Sequence, residues 1–110
     1  MMKVFSTYRD GRLTIRLQGE LDHHEARRGM EVIDALLDEY MPRDCAIDLG
    51  ALSFMDSSGI ALILKLHRRL AAAGGRARIE NAAAQPLRVL KASGIERFIA
   101  PSVNKEADAG

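Results

Sequence analysis

The fold is decided by residues 45–70, which read CAIDLGALSFMDSSGIALILKLHRRL. Apolar residues occupy every second position from Cys45 to Leu49, a spacing typical of a buried strand. After Gly50, the four residues from Ala51 to Phe54 are expected to form a short connection. From Ile60 onward the apolar residues recur at helical spacing, which predicts a helix whose apolar side carries Ile60, Ile63, Leu64, His67, Leu70 and Ala71.

Five residues at the junction of this strand and helix, Met55 to Gly59, carry one carboxylate and two hydroxyls. Asp and Ser are preferred at helix starts because their oxygens accept hydrogen bonds from N–H groups that lack partners within the helix. The same turn is the positive end of the helix dipole and therefore tolerates an added anion such as a phosphate. Alone, the sequence Asp-Ser-Ser-Gly is most often only a helix cap, so a functional interpretation needs the rest of the chain.

Upstream, the sequence predicts a hairpin followed by a long helix. Lys3 to Leu17 contains two alternating segments joined by Asp10-Gly11, a strong signal for a tight turn between strands. A helix is predicted from His24 to Tyr40, with an apolar stripe and with Asp22 and Glu25 at the spacing of a capping box. Pro42 is expected to end it.

Downstream, a strand is predicted around Ala77 and Ile79, then a third helix with Pro86 in its first turn. Gly94 is expected to end that helix in the left-handed conformation, and a last short strand is expected from Arg97 to Ala100. The predicted fold is therefore α/β: one domain over residues 1–103, with a mixed sheet of about four to five strands, an N-terminal hairpin and three to four helices. Residues 104–110 are expected to be a flexible tail.

Composition narrows the function by exclusion. The chain has 110 residues and a formal charge of +1, so no strong basic field favours nucleic acid or membrane as a partner. Arg68-Arg69 and Arg76 to Arg78 suit contact with an acidic partner or nucleic acid, but such residues are usually solvated. The single cysteine, Cys45, has no internal disulfide partner, and neither a signal peptide nor a long apolar span is apparent. The expected compartment is the cytoplasm.

Two chemical alternatives are weak. Asp22, His23 and His24 invite a metal interpretation, but neighbouring side chains on a helix diverge by about 100°, whereas a metal needs converging ligands. Ser57 as an enzymatic nucleophile lacks both the glycine two positions earlier and an evident base. His67 is expected to be a partly buried packing residue. Neither a metal, a cofactor nor a catalytic residue is therefore predicted.

Four ordered blocks carry a family resemblance: residues 19–24 (GELDHH), 52–59 (LSFMDSSG), 74–75 (GG) and 93–95 (SGI). Together they resemble the bacterial anti-sigma factor antagonists of the STAS domain family, and the sporulation member most. The resemblance runs from about Lys3 to Val103. The pair Ile60-Ala61 stands where the family more typically has Leu-Gly.

The resemblance implies a regulator rather than an enzyme. In the family, the first serine of the Asp-Ser-Ser-Gly block is phosphorylated by a partner that is both an ATP-dependent serine kinase and an anti-sigma factor. That serine is Ser57 here, with phosphate on Ser58 as the competing assignment. The unmodified protein is expected to bind the kinase and so free its sigma factor, phosphorylation to abolish binding, and a metal-dependent serine phosphatase to restore it.

The residues around Ser57 receive supporting roles from the same resemblance. Asp56 is expected to flank and orient the acceptor, Ser58 to be a structural or capping hydroxyl, and Gly59 to leave room for a partner. The loop with Asp22, His23 and His24 is expected to border the partner surface. The alternative function is a STAS regulatory or scaffold module of a stress-signalling circuit that controls no sporulation sigma factor, and a neighbouring kinase gene would separate the two.

Overall fold

A computed structural model of the chain describes residues 1–103. Along the chain lie β1 (Met2–Arg9), β2 (Arg12–Leu21), α1 (His23–Tyr40), β3 (Asp44–Met55), α2 (Ser57–Ala72), β4 (Arg76–Ala82), α3 (Ala84–Ser93), a 3₁₀ helix (Ile95–Arg97) and β5 (Pro101–Val103). The predicted α/β class, with a mixed sheet, an N-terminal hairpin and three helices, is confirmed. Residues 104–110, expected to form a tail, lie outside the described residues.

All three helices lie on one face of the sheet. The strand order is β1-β2-β3-β4-β5, and every pair after the antiparallel β1–β2 hairpin is parallel. Because each right-handed crossover steps in the same direction, each connecting helix falls on the same side. Leu13, Ile15 and Leu17 point from β2 into this helical layer and are fully buried, whereas Arg16 and Glu20 point from the opposite face into solvent.

The hairpin turn and the helix ends predicted from the sequence are present. Asp10 and Gly11 both have positive φ, 52° and 83°, as a two-residue hairpin turn of the mirror-image type requires. α1 ends at Met41, which takes the left-handed conformation just before Pro42. Gly94 ends α3 with φ 77°. These local signals therefore set the ends of the elements correctly.

Two sequence predictions are wrong. Ala51 to Phe54 is part of β3, because Leu52 pairs with Gly19 and Phe54 with Glu20, and Leu52 is buried in the core. The last strand is Pro101–Val103, whereas Ile95–Arg97 is a 3₁₀ helix. Ile95 and Ile99 both reach the core, and the N–H of Ile99 donates to the carbonyl of Ile95 at 3.0 Å, a helical spacing that a strand cannot provide.

The buried side of α2 differs from the predicted one. Ile63 and Leu70 are buried as expected, but Ile60 and Leu64 are only half-buried and Ala71 is exposed, whereas Leu62 and Leu66 complete the core. His67 is half-buried with its ring centroid 6.1 Å from that of Phe98, which confirms its predicted packing role. In residues 1–103, no helix combines the length and the apolar character needed to cross a membrane.

Candidate functional site

Two helices start side by side at the carboxyl edge of the sheet. The parallel strands β2 and β3 end at Leu21 and Met55, which are register partners, and the N–H of Asp56 donates to the carbonyl of Leu21 at 3.3 Å. An aspartate follows each strand, Asp22 before α1 and Asp56 before α2. Loops at the carboxyl ends of parallel strands are where α/β proteins usually place their binding sites.

The two aspartates cap their helices in the same way. Each has extended backbone, with φ of −100° at Asp22 and −106° at Asp56. Oδ1 of Asp22 accepts from the N–H of Glu25 at 2.9 Å, and Oδ1 of Asp56 accepts from the N–H of Ser58 at 2.8 Å. The bond from Glu25 lowers the pKa of the Asp22 carboxyl below its usual value of 3.8. Both carboxylates therefore hold the first helical turns in place.

Ser57 is the first residue of α2, and it is exposed to solvent. Its hydroxyl makes no hydrogen bond with other residues of the described range 1–103. The Asp56 carboxylate is engaged by the backbone of Ser58 instead. An accessible hydroxyl on a rigid helix start is a suitable acceptor for group transfer from another protein.

Ser58 points in a different direction from Ser57. It is half-buried and lines an open groove of about 740 Å³ between α1 and α2, together with His23, His24 and Lys65. The cap of α2 is the Asp56 carboxylate, so the expectation of a capping hydroxyl at Ser58 is corrected. Its backbone N–H is the capped group.

Gly59 is buried, and its role differs from the expected one. A Cβ at this position would lie 2.3 Å from Cγ and 2.6 Å from Sδ of Met55, and 3.0 Å from Cδ2 of Leu21. The absent side chain therefore makes room for the domain's own core and not for a partner. The glycine lets α2 sit closely on the ends of β2 and β3.

His23 and His24 are exposed in the first turn of α1, with ring centroids 6.0 Å apart in an edge-on arrangement. Both border the groove that Ser58 lines. Within residues 1–103 no three His, Cys, Asp or Glu side chains come together as a metal site would need. The groove thus joins the first turn of α1, with His23 and His24, and the first turn of α2, with Ser58, into one surface.

The family model of the STAS domain matches residues 6–109. This chain belongs to the STAS domain family. It is 34% identical over 95 residues to an anti-sigma F factor antagonist of Lysinibacillus sphaericus, a match that covers 86% of this chain and 81% of that protein.

Solved structures agree with this assignment. The anti-sigma factor antagonist SpoIIAA in its unphosphorylated form superposes with a TM-score of 0.76 at 30% identity, covering 98% of this chain and 93% of that one. SpoIIAA of Bacillus in its phosphorylated form gives a TM-score of 0.69 at 28% identity, covering 99% and 97%. The STAS domain described here is therefore similar to an antagonist whose structure is known in both the unphosphorylated and the phosphorylated form.

Gln85 of this STAS domain holds the end of β3, a role that no sequence motif indicates. Its Oε1 accepts from the N–H of Met55 at 2.8 Å, and its Nε2 donates to the carbonyl of Met55 at 3.1 Å. The Gln85 side chain thus bonds both backbone groups of Met55, the last residue of β3, as a neighbouring strand would. Asp56 follows directly. Because the contact joins positions 30 residues apart, no local pattern announces it.

Proposed function

We propose that this STAS domain protein is an anti-sigma factor antagonist that acts by partner switching. In its unmodified state it binds an anti-sigma factor that is also a serine kinase, and the sigma factor is released. The kinase transfers the γ-phosphoryl group of ATP to Oγ of Ser57, ADP leaves, and the complex dissociates. A metal-dependent serine phosphatase hydrolyses the ester, and the whole cycle runs in the cytoplasm.

One observation carries the proposal: Ser57 is an exposed hydroxyl on the first turn of α2, in a chain similar over nearly its full length to an antagonist solved with and without phosphate. The position accounts for modification without unfolding. A phosphate on a first helical turn lies at the favourable end of the helix dipole. The protein acts as a substrate and ligand of the kinase, and it is not itself an enzyme.

The switch follows from electrostatics at the interface. A phosphate adds about −1.5 to −2 charges. It also stands next to the half-buried Asp56 carboxylate, which is already held by the N–H of Ser58. In the free protein water solvates the new charge, but in a fitted interface that water is lost. A penalty of about 3 kcal/mol would weaken binding roughly 150-fold.

Asp22, His23 and His24 form the second part of the proposed partner surface. Support comes from the shared groove, which His23 and His24 line together with Ser58. The exposed imidazoles offer donors and flat apolar faces to a partner. Asp22 serves this surface by fixing the backbone of the first turn of α1 through Glu25.

The phosphorylation site is tested by incubating the protein with its cognate kinase and ATP, followed by intact-mass and fragment spectrometry. We expect one added phosphate on the wild type and on Ser58→Ala, and none on Ser57→Ala. The neighbouring serine is the matched control because it has the same chemistry in the same helical turn. A phosphate that persists in Ser57→Ala, or vanishes only in Ser58→Ala, overturns the assignment.

The partner switch is tested by isothermal titration of the kinase with unmodified protein, the phosphorylated protein and Ser57→Asp. We expect affinity to fall roughly 150-fold on phosphorylation, and clearly in Ser57→Asp, while circular dichroism stays unchanged. Ser6→Asp is the control, because Ser6 is an exposed residue of β1 outside this site. Equal dissociation constants for modified and unmodified protein would contradict partner switching.

A further inference from the structure

The charges of this chain are unevenly distributed. Residues 1–56 carry 7 Lys and Arg against 11 Asp and Glu, whereas residues 57–103 carry 8 against 2. Of those eight cations, Arg69 is neutralised by Asp34 and Asp38 of α1. The others are Lys65, Arg68, Arg76, Arg78, Arg88, Lys91 and Arg97. The small net charge of the chain therefore conceals a basic half, residues 57–103, although its arginine pairs were expected to be ordinary solvated residues.

Part of this basic half surrounds a cavity at the edge of the sheet. The cavity has a volume of about 410 Å³ and lies among His67 of α2, Arg76 and Arg78 of β4, and Phe98. β5 pairs with β4 only from Ile79 onward, so the first half of β4 is an open sheet edge. We call these four lining residues the basic edge.

Phe98 gives the basic edge an apolar anchor. Its side chain is 62% exposed, although a ring of this size usually finds cover in a small domain. The half-buried His67 holds the ring from one side, with the centroids 6.1 Å apart. An exposed aromatic ring that lines the same cavity as two arginines is the composition that marks the centres of protein interfaces.

Two of the guanidinium nitrogens of Arg78 make no hydrogen bond within the described residues. Its Nε and Nη2 are shielded from solvent, and neither makes a hydrogen bond with a residue in the described part of the chain. Oε1 of Glu80 lies 3.3 Å from Nη2 as an ion pair, but it leaves Nε without a partner. Arg76 is exposed and forms no ion pair within residues 1–103. Because Nε and Nη2 are shielded, a carboxylate from another molecule would pair with the exposed Arg76 and with the accessible remainder of the Arg78 side chain, which is 36% exposed.

We propose that the basic edge is a docking surface for an acidic polypeptide segment that carries one aromatic or aliphatic side chain. Carboxylates of the segment pair with Arg76 and Arg78, and its apolar side chain packs on Phe98. A protein segment fits this surface better than a nucleic acid does, because the cavity is small and has room for one side chain of the segment together with the residues next to it. A nucleic acid needs a longer basic track along its backbone.

The position of this surface separates it from the proposed switch. The basic edge includes the first residues of β4, at the amino edge of the parallel strands, whereas Ser57 follows the last residue of β3 at the carboxyl edge. Docking here should therefore be the same for unmodified and phosphorylated protein. The antagonist could then hold a second protein in either state of the switch.

The test is fluorescence anisotropy with a labelled short peptide of glutamates around one central phenylalanine, titrated with the full chain at low salt. The same peptide with glutamines is the uncharged control. We expect Arg76→Glu with Arg78→Glu to weaken binding at least about tenfold, and Phe98→Ala about threefold. Lys65→Glu with Arg27→Glu, the same charge change beside the α1–α2 groove, should leave binding unchanged.

Each outcome decides the proposal. Binding that needs the glutamates, the two arginines and Phe98, and that is equal for phosphorylated protein, supports it. Absent binding, equal binding of the glutamine peptide, or equal losses in the control double variant overturns it. Tighter binding of a single-stranded oligonucleotide than of the acidic peptide also overturns it. Circular dichroism of each variant checks that the fold stays intact, because Arg76 and Phe98 are exposed but Arg78 is half-buried.

Discussion

Removing the Gln85 side chain should loosen the strand end that precedes the proposed phosphorylation site. In Gln85→Ala both backbone groups of Met55 lose their partners, the N–H at 2.8 Å and the carbonyl at 3.1 Å. Met55 is fully buried and Gln85 half-buried, so water replaces these bonds poorly. Each bond contributes about 1 kcal/mol, so the free energy of unfolding should fall by about 2 kcal/mol.

Gln85→Glu is the sharper variant because it keeps the shape of the side chain. Its carboxylate still accepts from the Met55 N–H but has no proton to donate to the Met55 carbonyl, and the two oxygens then repel each other. Protonation restores the donor. We therefore expect the deficit of Gln85→Glu relative to wild type to shrink as the pH falls toward the pKa of the new carboxyl.

Urea denaturation followed by circular dichroism measures both variants, with the slope m unchanged from wild type. The rate of phosphorylation by the kinase provides a second readout, because Met55 precedes Asp56 and Ser57 directly. We expect both variants to lower kcat/KM. A Gln85→Ala protein within about 0.5 kcal/mol of wild type would refute this account of the strand end.

Three further predictions concern the helix starts and the core. Gly59→Ala should destabilise by about 1 kcal/mol, because the clash with Met55 outweighs the gain in helix propensity. Gly29→Ala is the matched control: its Cβ would lie 2.9 Å from the flexible end of Met2 and 3.4 Å from Cδ1 of Leu62, so it should be neutral or stabilising in thermal melts. Asp56→Ala should cost about 1 kcal/mol through loss of the bond from the Ser58 N–H, and Asp56→Asn much less, by urea titration. Burial raises the pKa of the Cys45 thiol to about 12 from 9.0. The raised pKa favours the folded state only while the thiol stays protonated, so the stability of wild type relative to Cys45→Ala should be constant below pH 9 and decline between pH 9 and 12.

The sequence predicted those parts of the fold whose signals are local. Asp10-Gly11 defines a turn because both residues must take positive φ, and Gly94 ends a helix for the same reason. Asp22 and Asp56 were recognisable as caps because the bonds they accept span only two or three residues. Ser57 could be proposed as the phosphate acceptor because a cap motif and a family pattern coincide in the same few residues.

The parts that failed depend on distant neighbours. Within β3 the larger buried residues are spaced by two as far as Leu49 and then by three at Leu52 and Met55, and Ala46 is buried as well. The change arises from two register shifts against β2, which no strand period encodes. The Gln85 contact and the burial of Gly59 require knowing that α3 and β2 come close to the end of β3. A single sequence does not contain that information.

The one-sided packing of the helices has a practical consequence for biosensor design. On the bare face of the sheet Arg16 stacks over the ring of Phe5 at 5.3 Å, and β1 presents Lys3 and Thr7 to solvent. Anchoring the molecule to a chip through this bare face would leave the helical layer accessible, together with the amino and carboxyl edges of the parallel strands. An immobilised STAS domain would then report binding and release of the proposed kinase in real time, without any attachment near Ser57.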